Sequence, residues 1–284
     1  MLPPLHVAKP LVKWILLALA YACVVEIIVR WLDLKSWDSG KQIATVLGLA
    51  LGVLLVFRIN TANDRWWEAR KLWGQLINEL RNLSLKTHAH VALSPAERHH
   101  FANLLAGFAN ALRLHLRGQD DTEPLPGLEL QKEKLRHLPG FVANLIHQSL
   151  ADWNRQGKLR ETVWVLDVHA RALMDICGAC ERIRNTPTPA SYRALLRGAI
   201  AVNIMTGPWV AATEMGWWGL PAFAVGTGFL LGIELTAESI EEPFGGDGDD
   251  LPLRTYCQTI ETFVRAALED LPIPAAPPAH PNIG

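Results

Sequence analysis

Apolar and charged residues are grouped in long blocks along this chain. Four blocks are mostly apolar, near residues 11–32, 42–57, 194–213 and 217–237, and residues 60–190 are polar, with apolar positions at a helical spacing. A helix that crosses a bilayer needs roughly 20 mostly apolar residues. The pattern therefore predicts an all-α membrane protein with four transmembrane helices and a large helical region between the second and the third.

The second block continues into a charged, tryptophan-rich segment without a helix breaker. Residues 42–57 read QIATVLGLALGVLLVF, and residues 58–73 read RINTANDRWWEARKLW. Between Lys41 and Arg58 there is neither a charged residue nor a proline. We predict one long helix that leaves the lipid and enters a polar interface, which favours transport over chemistry in solution.

The first block, from Leu11, has the length of a membrane span but contains charged residues. Lys13 and Arg30 can extend to the two interfaces, whereas Glu26 lies deeper and needs a position that faces protein. A cleaved signal peptide would have a shorter apolar core followed by small residues. Because Arg30, Trp31 and Leu32 follow this core, we predict a retained span.

The distribution of Lys and Arg predicts the orientation of the spans. The first connection balances Asp33 and Asp38 against Lys35 and Lys41, whereas basic residues follow the second span and precede the third. The middle region is therefore predicted to be cytoplasmic, and four spans then place both termini in the cytoplasm. The chain is therefore predicted to be a multi-pass membrane protein.

The polar regions contain clear signals for the ends of helices. Ser94, followed by Pro95 and Glu97, predicts a helix start, and the helix is expected to run to about Leu116. Further helices fit residues 129–155, 159–184 and 254–270, and the sequence from Thr186 to Pro189 breaks the chain before the third span. The Pro-rich end from Pro272 is predicted to be a flexible tail.

Composition excludes several classes of function. The net charge is −1, so nothing indicates a nucleic-acid partner. Cys177 and Cys180 lack the further ligands that a zinc site requires, so the cysteines are interpreted as buried or inert thiols in a reducing cytoplasm. Four histidines are interpreted as solvated surface residues: His88, His90, His99 and His100. No catalytic motif is present, and we expect no enzyme and no metal site.

Three apolar residues of the second span, Leu49, Val53 and Phe57, recur every four residues and share one helix face. In a single-chain bundle, such a stripe is ordinary core. In a symmetric oligomer with this helix at the axis, the stripe would form stacked hydrophobic rings, which gate ion flow by dewetting. Spacing alone leaves both possibilities open.

Longer motifs resemble those of bacterial bestrophin homologues, in the order expected over residues 15–270. They are FRINTANDRWWEARKLWG from Phe57, IEEPFG from Ile240 with acidic residues after it, and CERI from Cys180, which leads to NTPTP. The resemblance implies a homopentameric ion channel with four spans per subunit. It places Leu49, Val53 and Phe57 in the pore neck and Thr188 at the cytoplasmic aperture, where we would expect a bulky aliphatic residue in close relatives.

The resemblance divides the chain into four regions. Residues 1–60 hold the first two spans, 61–190 the cytoplasmic helices, 191–240 the last two spans, and 241–284 a cytoplasmic helix and tail. Asp247, Asp249 and Asp250 resemble the calcium-binding segment of animal members, but the run is short and interrupted, so we expect no cofactor.

The bacterial resemblance favours monovalent cations such as sodium, whereas animal relatives pass anions such as chloride. Glu241, Glu242 and Asp64 are candidates for selecting the charge of the ion. Two other hypotheses remain: a membrane scaffold or sensor that binds a cytoplasmic partner, and a membrane enzyme that uses Glu26, Glu234 or the histidines.

Overall fold

The chain folds almost entirely into helices. The computed structural model describes residues 5–34, 38–119, 124–125, 127–128, 136–159, 163–269 and 271–272. The helices are α1 (Leu5–Trp31), α2 (Asp38–His90), α3 (Pro95–Arg117), α4 (Leu138–Arg155), α5 (Val163–Asn185), α6 (Ala190–Met215), α7 (Gly219–Glu241) and α8 (Leu253–Leu268). Within these ranges the only β pairing is an isolated bridge between Leu125 and Leu128, so the predicted all-α class is confirmed.

Among the residues that the structure describes, three helical stretches are long and apolar enough to cross a membrane: Val7–Trp31, Gly40–His90 and Val163–Glu241. The third includes both α6 and α7, which are separated only by a 3-10 turn at Gly216–Trp218. The four apolar blocks of the sequence therefore lie in α1, in the first part of α2, in α6 and in α7.

Helix α2 is a single helix of 53 residues. Gly48 and Gly52 do not interrupt it, and a Cβ added at either position would meet nothing within 4 Å. The helix carries the apolar block and the tryptophan-rich segment without a break, which confirms the long helix predicted from the absence of a breaker.

One compact unit, here called the membrane unit, comprises Met1–Trp67 and Pro187–Asp250. In it, α1 packs against α6 and α7, and α6 packs against α7. Leu51 and Leu55 of α2 are buried against Leu196 and Ile200 of α6. Glu26 is only 1% exposed and accepts a hydrogen bond from Arg30 Nε at 2.6 Å, in agreement with the protein-facing position expected for it.

The second compact unit, the helical unit, comprises Glu68–Thr186 and Leu251–Gly284. Helix α3 lies at its centre, with α8 and α4 against it, and α4 also packs against α5. The second part of α2 contributes apolar residues that are fully buried, namely Trp73, Leu76, Leu80 and Leu83. Arg81 of α2 lies over the ring of Phe263 in α8, with its Cζ 4.8 Å from the ring centroid.

The start of α3 has the capping arrangement that its sequence predicts. Ser94 Oγ accepts from the backbone N–H of Glu97 at 3.3 Å, and Glu97 Oε2 accepts from the backbone N–H of Ser94 at 2.8 Å. Lys158 Nζ also donates to Glu97 Oε1 at 2.6 Å. At the other end, Gly118 adopts a left-handed conformation with φ of 64°, which a residue with a side chain would rarely adopt.

One predicted helix boundary differs from the structure. The helix expected over 129–155 begins only at Leu138, because His137 caps it and Pro139 occupies its first turn. The helix expected from 159 is described only from Val163. Residues 129–135 and 160–162, Lys35 and the predicted tail over 273–284 lie outside the described residues.

Replacing Glu97 by Gln is expected to destabilise the protein by about 1 kcal/mol near pH 6, because Gln keeps the capping box but removes the charge that Lys158 Nζ contacts at 2.6 Å. The hydrogen bonds from Lys158 and Ser94 lower the pKa of Glu97 from 4.5 to about 2 in the folded state. A lowered pKa stabilises the fold above the unfolded pKa, so the difference between the two proteins should shrink as pH falls from 4.5 towards 2. Thermal unfolding in detergent measures it.

Asp152→Asn is the matched control, since Asp152 pairs with Arg155 within one exposed helix surface and its side chain is 52% exposed. It should change stability little at any of these pH values. Equal losses for both variants, or a Glu97→Gln effect independent of pH, would contradict the assignment.

Candidate functional site

The predicted apolar stripe of α2 lies on the surface of the single chain. The side chains of Leu49, Val53 and Phe57 are 69%, 56% and 60% exposed. The opposite face of the same helix turns carries Leu51 and Leu55, which are 2% and 1% exposed. The stripe is therefore not the core of one chain, and its apolar residues need lipid or another protein surface to cover them.

A buried polar cluster begins one residue after the stripe. Arg58 is fully buried, and its Nη2 donates to Glu241 Oε2 at 2.6 Å. Arg58 Nη1 donates to the Thr188 hydroxyl at 3.3 Å, and the Thr188 backbone N–H donates to Glu241 Oε1 at 2.7 Å. Arg58 Nε also lies 3.5 Å from Glu234 Oε2.

This cluster was not found from the sequence. Arg58, Glu234 and Thr188 lie far apart along the chain, and Arg58 sits within a motif that suggested only a family resemblance. The one signal in the sequence is a charge at the boundary of an apolar block, which predicts the beginning of a polar interface. The structure instead buries that charge.

Thr188, predicted to line a cytoplasmic aperture, is 7% exposed and bonded within this cluster. Pro187 and Pro189 on either side of it are exposed. The structure thus brings Thr188 together with Arg58, which immediately follows Phe57, a residue of the predicted neck. Its role at an aperture stays a prediction.

Two motifs that carried the family resemblance meet in the membrane unit. Trp66 Nε1 donates to the backbone carbonyl of Asp249 at 2.9 Å, and Arg65 Nε donates to the carbonyl of Glu241 at 3.4 Å. Ser239 Oγ donates to Asp249 Oδ2 at 3.2 Å. The tryptophan-rich segment of α2 therefore holds the acidic loop that follows α7.

The carboxylates of the acidic loop accept hydrogen bonds from within the loop and from the end of α7. Asp250 Oδ2 accepts from the backbone N–H of Asp247 at 2.5 Å, and Asp249 is bonded to Ser239 as described above. These bonds account for the loop as a turn after α7. The expectation that Asp247, Asp249 and Asp250 hold no calcium stays a prediction.

In the helical unit, two histidines share one carboxylate oxygen. His115 Nε2 and His137 Nε2 lie 2.7 Å and 2.8 Å from Glu181 Oε1. The three donor atoms are close enough together to suggest a metal site. However, His137 Nδ1 accepts the backbone N–H of Gly140 at 2.9 Å, so neutral His137 carries its proton on Nε2. A protonated Nε2 donates to Glu181 and cannot bind a metal, so the trio fits a hydrogen-bonded cap of α4.

The four histidines predicted to lie on the surface do so in the structure, and most of the cysteines are buried as predicted. His88, His90, His99 and His100 are exposed, and His99 Nδ1 lies 2.8 Å from Glu269 Oε1. All four cysteines are free, and Cys177, Cys180 and Cys257 are buried. Burial raises the pKa of Cys257 to about 12, which keeps it as an unreactive thiol at neutral pH.

A comparison with protein families identifies the chain. The family model described as bacterial/fungal bestrophin protein matches residues 5–266. The chain belongs to the bestrophin family. The resemblance found in its motifs is thereby confirmed over nearly the whole length.

Curated relatives support the same assignment. A Synechocystis protein named as a voltage-dependent anion channel-forming protein is 35% identical over 271 residues, covering 90% of this chain and 85% of the relative. A Nostoc protein of the same name is 34% identical over 234 residues, covering 77% of this chain and 74% of the relative.

Solved structures establish the fold. The crystal structure of a bacterial bestrophin homologue from Klebsiella pneumoniae, in a form that carries a mutation, aligns with a TM-score of 0.84 at 22% identity, covering 91% of this chain and 99% of that chain. A second structure of this homologue, solved by Zn-SAD phasing, aligns with a TM-score of 0.83 at 22% identity, covering 90% of this chain and 98% of that one. The chain thus has the bestrophin fold.

Replacing Trp66 by Phe removes the N–H that holds the acidic loop. We expect a loss of about 1 kcal/mol in stability, the usual net value of one hydrogen bond. Thermal unfolding in detergent measures it, with Trp164→Phe as the control because Trp164 is 74% exposed. A loss no larger than that of the control would show that the bond to Asp249 does not stabilise the fold.

Proposed function

We propose that the chain forms an ion channel, in which identical copies surround a pore and present the α2 stripe to its axis. The observation that carries the proposal is the exposure of Leu49, Val53 and Phe57, at 56–69%, on the face opposite to the packed side of α2. Rings of such residues around a narrow axis exclude water and so control the passage of ions. Membership of the bestrophin family and the channel names of the relatives support the same function and favour a channel over an enzyme.

The assembly is proposed to be a homopentamer in the bacterial inner membrane, with both termini in the cytoplasm. The family resemblance supports the pentamer, and the distribution of Lys and Arg supports the orientation. Leu49, Val53 and Phe57 form the neck, and Thr188 lies at the cytoplasmic aperture. No cofactor is required for conduction through such a pore.

The neck side chains carry no charge, so the sign of the permeant ion must be selected elsewhere. Asp64 is exposed and lies seven residues after Phe57, which is close to two helix turns, so it continues the stripe. In a ring of copies, this position would supply a ring of carboxylates, as in cation channels. We therefore propose that monovalent cations such as sodium are the conducted ions.

Anion conduction is the second candidate, and the names of the relatives favour it. The Synechocystis and Nostoc proteins are both named as anion channel-forming proteins. The reversal potential of purified protein in a planar bilayer under a potassium chloride gradient decides between the two candidates. A potential near that of potassium supports cations, and one near that of chloride supports anions.

Replacing Leu49, Val53 and Phe57 together by Ala is expected to raise the current several-fold, because smaller side chains widen and wet the neck. Phe229→Ala is the matched control, since Phe229 is 69% exposed but lies on α7. Currents are measured for variants whose oligomer matches the wild type by size-exclusion chromatography. An unchanged current in the triple variant would remove the stripe from the pore.

Asp64→Asn is expected to lower the ratio of cation to anion permeability, because it removes a negative charge that continues the exposed face of the neck. The shift in reversal potential under a salt gradient measures this ratio, and it should be larger at low ionic strength. Asp152→Asn serves as the control, as it removes a carboxylate from the helical unit. Identical reversal potentials for both variants would contradict the assignment to Asp64.

A further inference from the structure

Arg58 occupies an unusual position for a charged residue. It follows Phe57, whose side chain is 60% exposed, yet it is itself fully buried. Successive residues on a helix point about 100° apart, so the backbone that carries the Phe57 ring outwards carries the guanidinium inwards. Any movement of the Arg58 backbone therefore also moves Phe57.

Two hydrogen-bond partners hold the guanidinium, and a third group, a carboxylate, lies at ion-pair distance from it. Its Nη2 binds Glu241 at the end of α7, its Nη1 binds Thr188 before α6, and its Nε lies 3.5 Å from Glu234 of α7. Glu241 uses its second oxygen to accept the Thr188 backbone N–H at 2.7 Å. The Thr188 segment is thus attached to Arg58 both directly and through Glu241.

Carboxylates around Arg58 neutralise its buried guanidinium. Glu234 faces Arg58 on one side and Arg197 on the other, where Arg197 Nε lies 3.7 Å from Glu234 Oε1. A planar guanidinium offers several donors in a fixed geometry, whereas a lysine ammonium acts as a point charge. From this position arginine donates to Glu241 and Thr188 in parallel, while its charge also faces Glu234.

We propose that Arg58 is a positioning residue that couples the neck to the segment around Thr188, so that the two constrictions of the pore move as one unit. The proposal rests on the proposed function in so far as Phe57 and Thr188 line a pore. The coupling between Phe57 and Thr188 is a property of the protein's conformation, so it can be measured without recording ion currents.

The test measures the reactivity of a cysteine at the neck. Phe57→Cys is introduced into a chain with Cys23→Ser, because Cys23 is the one cysteine that is not buried. The rate of modification by a water-soluble methanethiosulfonate reagent reports the exposure of position 57 in reconstituted protein. Thr188→Val is then added, which removes the hydroxyl that accepts from Arg58 and keeps the size of the side chain.

Coupling predicts that Thr188→Val changes the modification rate about threefold or more, within the range found for residues of one hydrogen-bond network. Arg58→Lys should change the rate in the same direction, and the double variant should show no more than the larger single effect. Thr206→Val is the matched control, since its hydroxyl bonds to the carbonyl of Val202 within α6. It should leave the rate unchanged.

A rate for Thr188→Val equal to that of Thr206→Val, or additive effects of Thr188→Val and Arg58→Lys, would overturn the proposal. If Arg58→Lys fails to assemble, Thr188→Val alone decides between these outcomes. Conductance of the same proteins with a native Phe57 is the second readout, and the open probability should change in Thr188→Val and not in Thr206→Val. An absence of current in every protein would contradict the proposed function, while the modification rates would still decide the coupling.

Discussion

The burial of one positive charge governs how the membrane unit is built. Arg58 ends an apolar block, so its guanidinium lies where water does not reach it, and the protein must neutralise it. Removing one partner of a buried ion pair typically costs about 3–5 kcal/mol, which makes such a cluster difficult to rearrange. Glu241 and Glu234 supply the opposite charges, and both belong to α7. The position of Arg58 therefore fixes the face of α2 that contacts α7, and with it the face that remains outside.

The remaining face of α2 has the properties of a surface that is completed by other copies. Leu49, Val53 and Phe57 are large and apolar, and the proposed symmetric assembly around an axis would cover them. A channel needs the stripes of several copies to line a common axis, whereas a membrane scaffold does not. An enzyme that uses Glu26 or Glu234 is disfavoured by the structure, since Arg30 binds the first carboxylate and Arg58 and Arg197 flank the second.

The helices were predicted well from the sequence, since their signals are local. The absence of a breaker between Lys41 and Trp73 predicted the long α2, and Ser94 with Glu97 predicted the start of α3. The start of α4 was misplaced, because a histidine cap is a weak signal compared with Ser94. Spacing also picked out the stripe, although it left open whether the stripe was core or surface. The exposure of the three side chains removes the first possibility for a single chain.

The polar clusters could not be predicted, because they depend on residues that only the fold brings together. Arg58 and Glu241 are separated by 183 residues, and His115 and Glu181 by 66. The sequence does not distinguish a charged residue that the fold buries from one that it leaves exposed, because the partners of each are distant along the chain. Thr188 illustrates the difference, since the family resemblance implies an aperture there, whereas its contacts join it to Arg58, the residue that follows the predicted neck.

A cryo-electron microscopy map of the purified protein in lipid nanodiscs tests the central claim most directly. The account predicts a ring of identical copies in which Leu49, Val53 and Phe57 of every copy point at a common axis and narrow it, with Arg58 directed away from it. A map in which these three side chains face lipid, or in which α2 lies at the periphery of the assembly, would contradict the account.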